Sequence, residues 1–317
     1  MTTTKLSTAM LAGAAALVLG LGQAAAADAK SGKLRHGYAD NRYGQIHYAI
    51  AQPPGVSTKP TMVLLHQSPN SSVEYDALTM ELGKDRTVIA FDTPGHGASD
   101  GPDAVPVIED YAEAIAEALT NLGYGPNKQV DMFGFHTGSR TTTEIALRYP
   151  KMVRRVSLGL SPYGFIDDAL SKKLYDEVYH PTSAADILGR YCKGIDNRIA
   201  QAQKSGMPDI PWGRISVETI RNLTRHEFGH AAAFEYGPRF KKRMLELTQP
   251  VMLLVVDDPL DNYQGGKTAL STSNEVKPLM TKAKSVTVVD EKFHNNSFYV
   301  RAKDMADAFR RFQDGPG

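Results

Sequence analysis

The sequence predicts a doubly wound, mostly parallel α/β sheet, interrupted in its second half by a helical insertion. Three observations carry this. The first half alternates short apolar runs with helical periodicity, the pattern of strands buried on both faces of a parallel sheet and of the helices that cover them. That alternation stops between Tyr163 and about Gln249 and resumes at Pro250. Finally, Gly134-Phe135-His136-Thr137-Gly138 joins an apolar run to a helix-like run, with two glycines flanking one side chain.

The chain opens on a different kind of segment. Lys5 is a positive start, Met10 to Leu21 an apolar run, and Ala24 to Ala27 a set of small residues before polar Asp28-Ala29-Lys30. This reads as a secretory signal peptide over residues 1–27, cleaved after Ala27. The apolar run is short for a spanning helix, and no later stretch is long and apolar enough to span a bilayer. The expected destination is the periplasm or the exterior of a bacterial cell, with no membrane partner once the signal is removed. The single cysteine, Cys192, excludes an internal disulfide and is expected to be a partly buried structural thiol.

The 317 residues are 42% apolar and 22% charged, with a formal net charge of +1. The balance holds no basic surplus for nucleic acid.

Elements follow in order. Arg35 to Gln52 alternates around Asn41-Arg42-Tyr43-Gly44 and predicts a β-hairpin. Pro60 to His66 is a buried strand, and Ser71-Ser72 can cap a helix from about Val73 to Gly83. Thr87 to Phe91 is a second buried strand, followed by Asp92-Thr93-Pro94-Gly95-His96-Gly97-Ala98-Ser99. Val107 to Leu122 is helical, with Pro106 suited to its start. The strand ending at Gly134 and the helix over Thr141 to Tyr149 come next, then a strand over Val153 to Leu160. Residues 28–162 therefore form the first part of the core, 163–249 the helical insertion and 250–317 the second part. In the last part Pro250 to Val256 is a strand, Asn274 to Lys284 a helix, Ser285 to Val289 a strand and Ser297 to Phe312 an amphipathic helix. Function in such sheets sits at the carboxyl ends of the strands, where His66, Asp92 and His136 fall.

Two glycines around one residue permit a strand-to-helix turn too tight for other side chains, with the central residue raised at a helix N-terminus. These motifs together resemble the α/β-hydrolase superfamily, in the capped subgroup that includes epoxide hydrolases, haloalkane dehalogenases and many esterases. The resemblance runs from about Leu34 to the C-terminus. Leu64-Leu65-His66-Gln67-Ser68-Pro69 stands where the family has its His-Gly-x-Pro loop, and Asp92 to Ser99 matches its Asp-x-x-Gly-x-Gly-x-Ser turn. Gly134 to Gly138 occupies the nucleophile elbow, Asp257-Asp258-Pro259 the place of the acid and Phe293-His294-Asn295 that of the catalytic histidine. Two residues depart from the pattern: His136 stands for the usual nucleophile and Gln67 for the usual glycine.

The resemblance implies an α/β-hydrolase fold with a helical cap and a site of His136, His294 and Asp258, with Asp257 and Asp261 as alternative acids. It implies an oxyanion hole from the backbone amides of Thr137 and Ser68. A neutral imidazole at the elbow can accept an acyl group or act as base on a water. The helix N-terminus and a nearby His294 both disfavour its protonation. Gln67, Tyr163 and Trp212 are candidate substrate contacts. Ser139, three residues after His136, reads as a helix-start residue.

Two motifs compete. His226-Glu227-Phe228-Gly229-His230 matches H-E-x-x-H, the pattern of a zinc hydrolase. It falls inside the insertion with no evident third ligand, so it reads as residues over the pocket. Gly265-Gly266-Lys267-Thr268 imitates a P-loop end, but Asp261 occupies the place of its first glycine. The expectation is a hydrolase of a small ester, lactone or related acyl compound, with no cofactor, no metal and a small-molecule partner. The other reading is a ligand-binding pseudoenzyme or lyase on the same fold.

Overall fold

The structure, a computed structural model, describes residues 33–160, 165–178, 183–193, 195–223, 228–257 and 268–316. The expected signal peptide, Tyr163, His226, Glu227, Asp258, Asp261 and Gly265 to Lys267 lie outside the described residues.

Eight strands form one sheet in the order β1-β2-β4-β3-β5-β6-β7-β8. They are β1 (Arg35–Asn41), β2 (Gly44–Ala51), β3 (Thr61–Leu65), β4 (Val88–Phe91), β5 (Val130–Phe135), β6 (Val153–Gly159), β7 (Val251–Asp257) and β8 (Val286–His294). β1–β2 and β2–β4 are antiparallel and every later pair is parallel. The hairpin turns where the sequence places it: the Tyr43 amide donates to Asn41 Oδ1 at 2.7 Å, and Gly44 takes φ 115°.

The period of two along the central strands divides their side chains between two cores. Val63, Leu65, Ile89 and Met132 pack on one face with helices α2 (Ile108–Asn121) and α3 (Thr137–Arg148). Met62, Leu64, Val88 and Phe133 pack on the other with α1 (Asp76–Leu82), α10 (Ser297–Val300) and α11 (Ala302–Asp314). Both faces are thus covered, as a doubly wound sheet requires.

Between β6 and β7 run α4 (Asp168–Val178), α5 (Ala184–Cys192), α6 (Ile195–Lys204), α7 (Asp209–Leu223) and α8 (Phe228–Met244). Pro238 lies inside α8 and has no amide to give the carbonyl of Phe234 one turn earlier. The Ser171 hydroxyl of α4 supplies that bond at 2.7 Å. Glu144 of α3, fully buried, ties α8 to the sheet: it accepts from Arg243 at 2.6 and 2.9 Å and from the Tyr236 hydroxyl.

Several local readings shift. The turn at Ser72–Tyr75 is a 3-10 turn before α1, and Ser71 stands ahead of it without a side-chain cap bond. The helix read over Asn274–Lys284 is α9 (Ala269–Val276), started by Thr268, whose hydroxyl accepts from Ser271; a short 3-10 turn holding Pro278 ends it. The terminal helix breaks at Arg301, whose guanidinium reaches back to the carbonyls of Glu291 and Lys292 at 2.8 and 3.0 Å. Cys192 is exposed rather than partly buried, because α5 ends on it.

Candidate functional site

The carboxyl ends of β3, β4, β5 and β8 carry the polar groups. The elbow follows β5. A Cβ on Gly134 would fall 2.0 Å from the Gly138 oxygen, and one on Gly138 would fall 2.1 Å from that of Leu65. No residue but glycine fits either place, and α3 starts directly after His136, earlier than the sequence reading. His136 takes φ 47° and ψ −106°, a conformation that costs a side-chain-bearing residue about 1–3 kcal/mol. Its amide donates to the Gly159 carbonyl at 3.0 Å, and its ring lies 3.9 Å, centroid to centroid, from Phe135. The Ser139 hydroxyl is buried and donates to the His136 carbonyl at 2.6 Å, so it is committed to the backbone of the turn.

The loop after β3 packs against this elbow. The Ser68 amide donates to the Thr137 hydroxyl at 3.4 Å, which brings the two expected oxyanion residues together. His66 is buried and structural: Nδ1 donates to the Gln67 carbonyl at 2.8 Å and Nε2 accepts the Thr93 amide at 2.9 Å. Burial lowers its pKa and takes that of His96 down to about 3, so both imidazoles are neutral. His96 Nδ1 faces the Pro94 carbonyl, an acceptor only, so Nε2 accepts from the Ser68 hydroxyl at 3.4 Å.

Gln67 is held by a residue the sequence reading passed over. Glu74, in the 3-10 turn, accepts the Gln67 amide at 3.1 Å, the Gln67 side chain at 3.2 Å and Asn70 Nδ2 at 2.6 Å. Burial pushes this carboxyl up to about 7 against those three donors and the Tyr75 hydroxyl. The only sequence cue was an acidic residue one place before Tyr75 in an otherwise core-facing turn.

His294 ends β8. Register explains its place: between Leu254 and Val256 of β7, β8 advances from Val289 to Phe293, and Lys292 takes φ 56°. This bulge sets His294 opposite Asp257. Burial and Arg301 lower the His294 pKa, with Asp257 acting the other way. Of the three acid candidates, Asp257 is described, and it is exposed; Asp258 and Asp261 lie outside the described residues. His136 and His294 share the carboxyl edge but stand on β5 and β8, with β6 and β7 between.

A cavity of about 310 Å³ lies between this edge and the helices that follow β6. Gln67, Ser68, Glu74, Asn295 and Tyr299 line its sheet side; Arg198, Trp212, Thr219 and His230 line its helix side. Trp212 and Gln67 thus face the same cavity, as does His230 of the H-E-x-x-H run. Neither His136 nor His294 is among the described lining residues; Ser68, in contact with Thr137, and Asn295, next to His294, are. Helix α7 is fastened over the loop by Asn222, which donates to the Pro69 and Asn70 carbonyls at 2.8 and 2.9 Å and accepts the Gly97 amide at 2.9 Å.

With this geometry in view, the comparisons are consistent. The profile of the alpha/beta hydrolase fold family matches residues 60–173. The 2-(acetamidomethylene)succinate hydrolase of Mesorhizobium japonicum is 32% identical over 161 residues, 49% of this chain and 57% of that protein, so the match spans under two thirds of the relative. Among solved structures, the enol-lactonase from Burkholderia xenovorans has a TM-score of 0.64 at 16% identity, over 87% of this chain and 99% of that one. A thermophilic esterase from Thermogutta terrifontis gives 0.63 at 15%, over 87% and 97%. The chain has the α/β-hydrolase fold.

Proposed function

We propose that this protein is an exported, cofactor-independent hydrolase of small, polar acyl compounds, with His136 as nucleophile or general base. His294 and Asp258 are its partners, and the Thr137 and Ser68 amides form its oxyanion hole. One observation carries the reading: two glycines that admit no Cβ hold His136 in a strained turn, beside the Ser68–Thr137 contact. A side chain kept in such a conformation by its surroundings suits a reacting group. The polar side chains in the cavity wall, Gln67, Asn70, Glu74, Arg198 and Asn295 among them, favour an ester, lactone or amide with hydrogen-bonding substituents over a long alkyl ester. The relative named as a 2-(acetamidomethylene)succinate hydrolase and the neighbour named as an enol-lactonase lend support to acyl chemistry.

In the general-base form, water adds to the carbonyl carbon and gives its proton to the His136 imidazole, while the oxyanion accepts from the two amides. Collapse expels the alkoxide or amine, which takes that proton back. The test is turnover of short esters, lactones and an acetamido acid by the wild type, His136→Ala and His294→Ala. Loss of at least a hundredfold in both variants is expected; equal turnover in all three sinks the reading. Amino-terminal sequencing of exported protein tests cleavage after Ala27. A second reading, a ligand-binding protein on this fold, is favoured by the absence of His136 from the described cavity wall. Ligand binding without turnover of any acyl substrate distinguishes it.

A further inference from the structure

Gln67 stands where the family's loop has glycine, and the structure shows what its side chain does. It binds Glu74, which also holds the Gln67 amide and the Asn70 side chain. The three groups that bond this carboxylate are N–H donors, and the Tyr75 hydroxyl, which donates to the Leu65 carbonyl at 3.2 Å, lies beside it; this set suits its ionised form. Asn70 carries the network onward: its Oδ1 accepts from the Thr219 hydroxyl of α7 at 2.8 Å. Thr219 Oγ1 also lies 2.9 Å from the Ile215 carbonyl, so its one hydrogen can serve either acceptor.

We propose that Glu74 is a positioning residue that holds the loop bearing the Ser68 amide, and that its charge selects between two complete hydrogen-bond arrangements of that loop against α7. In the first, shown here, the carboxylate takes three N–H bonds and Thr219 donates to Asn70. In the second, the protonated carboxyl donates to Asn70 Oδ1, the Asn70 amide is turned over so that Nδ2 donates to Thr219 Oγ1, and Thr219 donates to Ile215. The two differ by one proton and one amide rotation, and neither leaves a group of this chain unpaired. Bonds to a carboxylate are about twice as strong as bonds to its neutral form. The ionised arrangement therefore grips Gln67, and the Ser68 amide beside it, more firmly. Asn222 keeps α7 docked in both.

A carboxyl that titrates near neutral pH makes both arrangements accessible. Other charged and titratable groups surround the same space. Tyr75 shares the turn, and Arg198, His230, Tyr191 and Tyr299 line the cavity from α6, α8, α5 and α10. Asp76 follows in α1, raised to about 6 by burial and paired with Arg214 of α7 at 2.8 Å. His66 and His96 stay neutral.

The catalytic consequence rests on the function proposed above; the first test does not. Trp212, the only tryptophan, lies on α7 and lines the cavity with Glu74, so its emission in the mature protein reports the switch without substrate. Between pH 5 and 9 the wild type should show a step with its midpoint near 7. Glu74→Gln should lose it, and His230→Gln and Asp76→Asn should keep it. Gln67→Gly, the family's own residue, removes a donor to the carboxylate and should move the midpoint up by roughly one pH unit. No step in the wild type, a step that persists in Glu74→Gln, loss of the step with His230 or Asp76, or an unmoved midpoint in Gln67→Gly would each overturn the proposal. If Glu74→Gln does not fold, Gln67→Gly decides. Where turnover is found, the acid limb of kcat should move with the fluorescence midpoint in Gln67→Gly; a fixed limb overturns the positioning role and leaves the proposed hydrolysis standing.

Discussion

The amide of Ser68 donates to the hydroxyl of Thr137 across 3.4 Å, and this contact joins the loop after β3 to the turn after β5. It exists because Gly138 lies flat against the carbonyls of Leu65 and His66. The steric demand of the elbow and the contact between the two loops are thus one arrangement.

Gly138→Ala tests that arrangement. The new Cβ would meet backbone oxygens of Leu65 and His66 at 2.1 and 2.8 Å, and neither can swing aside as a side chain could. Urea denaturation should show a loss of about 3 kcal/mol. Gly213→Ala, in α7 with nothing within 4 Å, should instead gain about 0.5–1 kcal/mol from helix propensity. Equal effects at the two positions would contradict the steric account.

Glu144 anchors α8 to α3. Glu144→Ala leaves Tyr236 buried without its acceptor, whereas Arg243, 37% exposed, can turn to water. The expected cost is about 2–3 kcal/mol, below the full penalty of an orphaned buried charge. Thermal unfolding of the variant measures it.

Acid should weaken the fold in two windows. His96 is taken down to about 3 by burial, from the ordinary 6.5. A histidine depressed in the folded state lends stability above its unfolded pKa, and that stability drains as pH falls from about 6.5 towards 3. Asp92 is taken down to about 2: burial works against its charge, and His47 with the Ser72 and Ala98 amides outweighs it. Its share is present above the ordinary 3.8 and is lost between there and about 2. Urea midpoints at pH 7, 5 and 3.5 should fall in turn, with a flatter first interval in His96→Gln. An unchanged slope in that variant removes His96 as the source.

Asn222→Ala removes three bonds between α7 and the loops after β3 and β4. A loss of about 2 kcal/mol is expected. Faster amide hydrogen exchange in α7, with β3 to β6 unaffected, would show that the loss is local.

The sequence by itself determined the sheet, the order of its parts and the elbow. Strands buried on both faces must be apolar throughout, as Met62 to Leu65 and Val88 to Phe91 are. A turn with no room for a Cβ must carry glycine, as at Gly134 and Gly138. Such demands are local and leave a readable trace. The tertiary structure alone decided the rest. That Glu74 turns inward to hold Gln67, that Asn222 spans from α7 to the Pro69 carbonyl, and that a bulge brings His294 opposite Asp257 all depend on contacts between distant segments. A glutamate in a surface-like turn and one in a buried network are the same letter; only the packing around them, which removes water and leaves amide donors in its place, tells them apart.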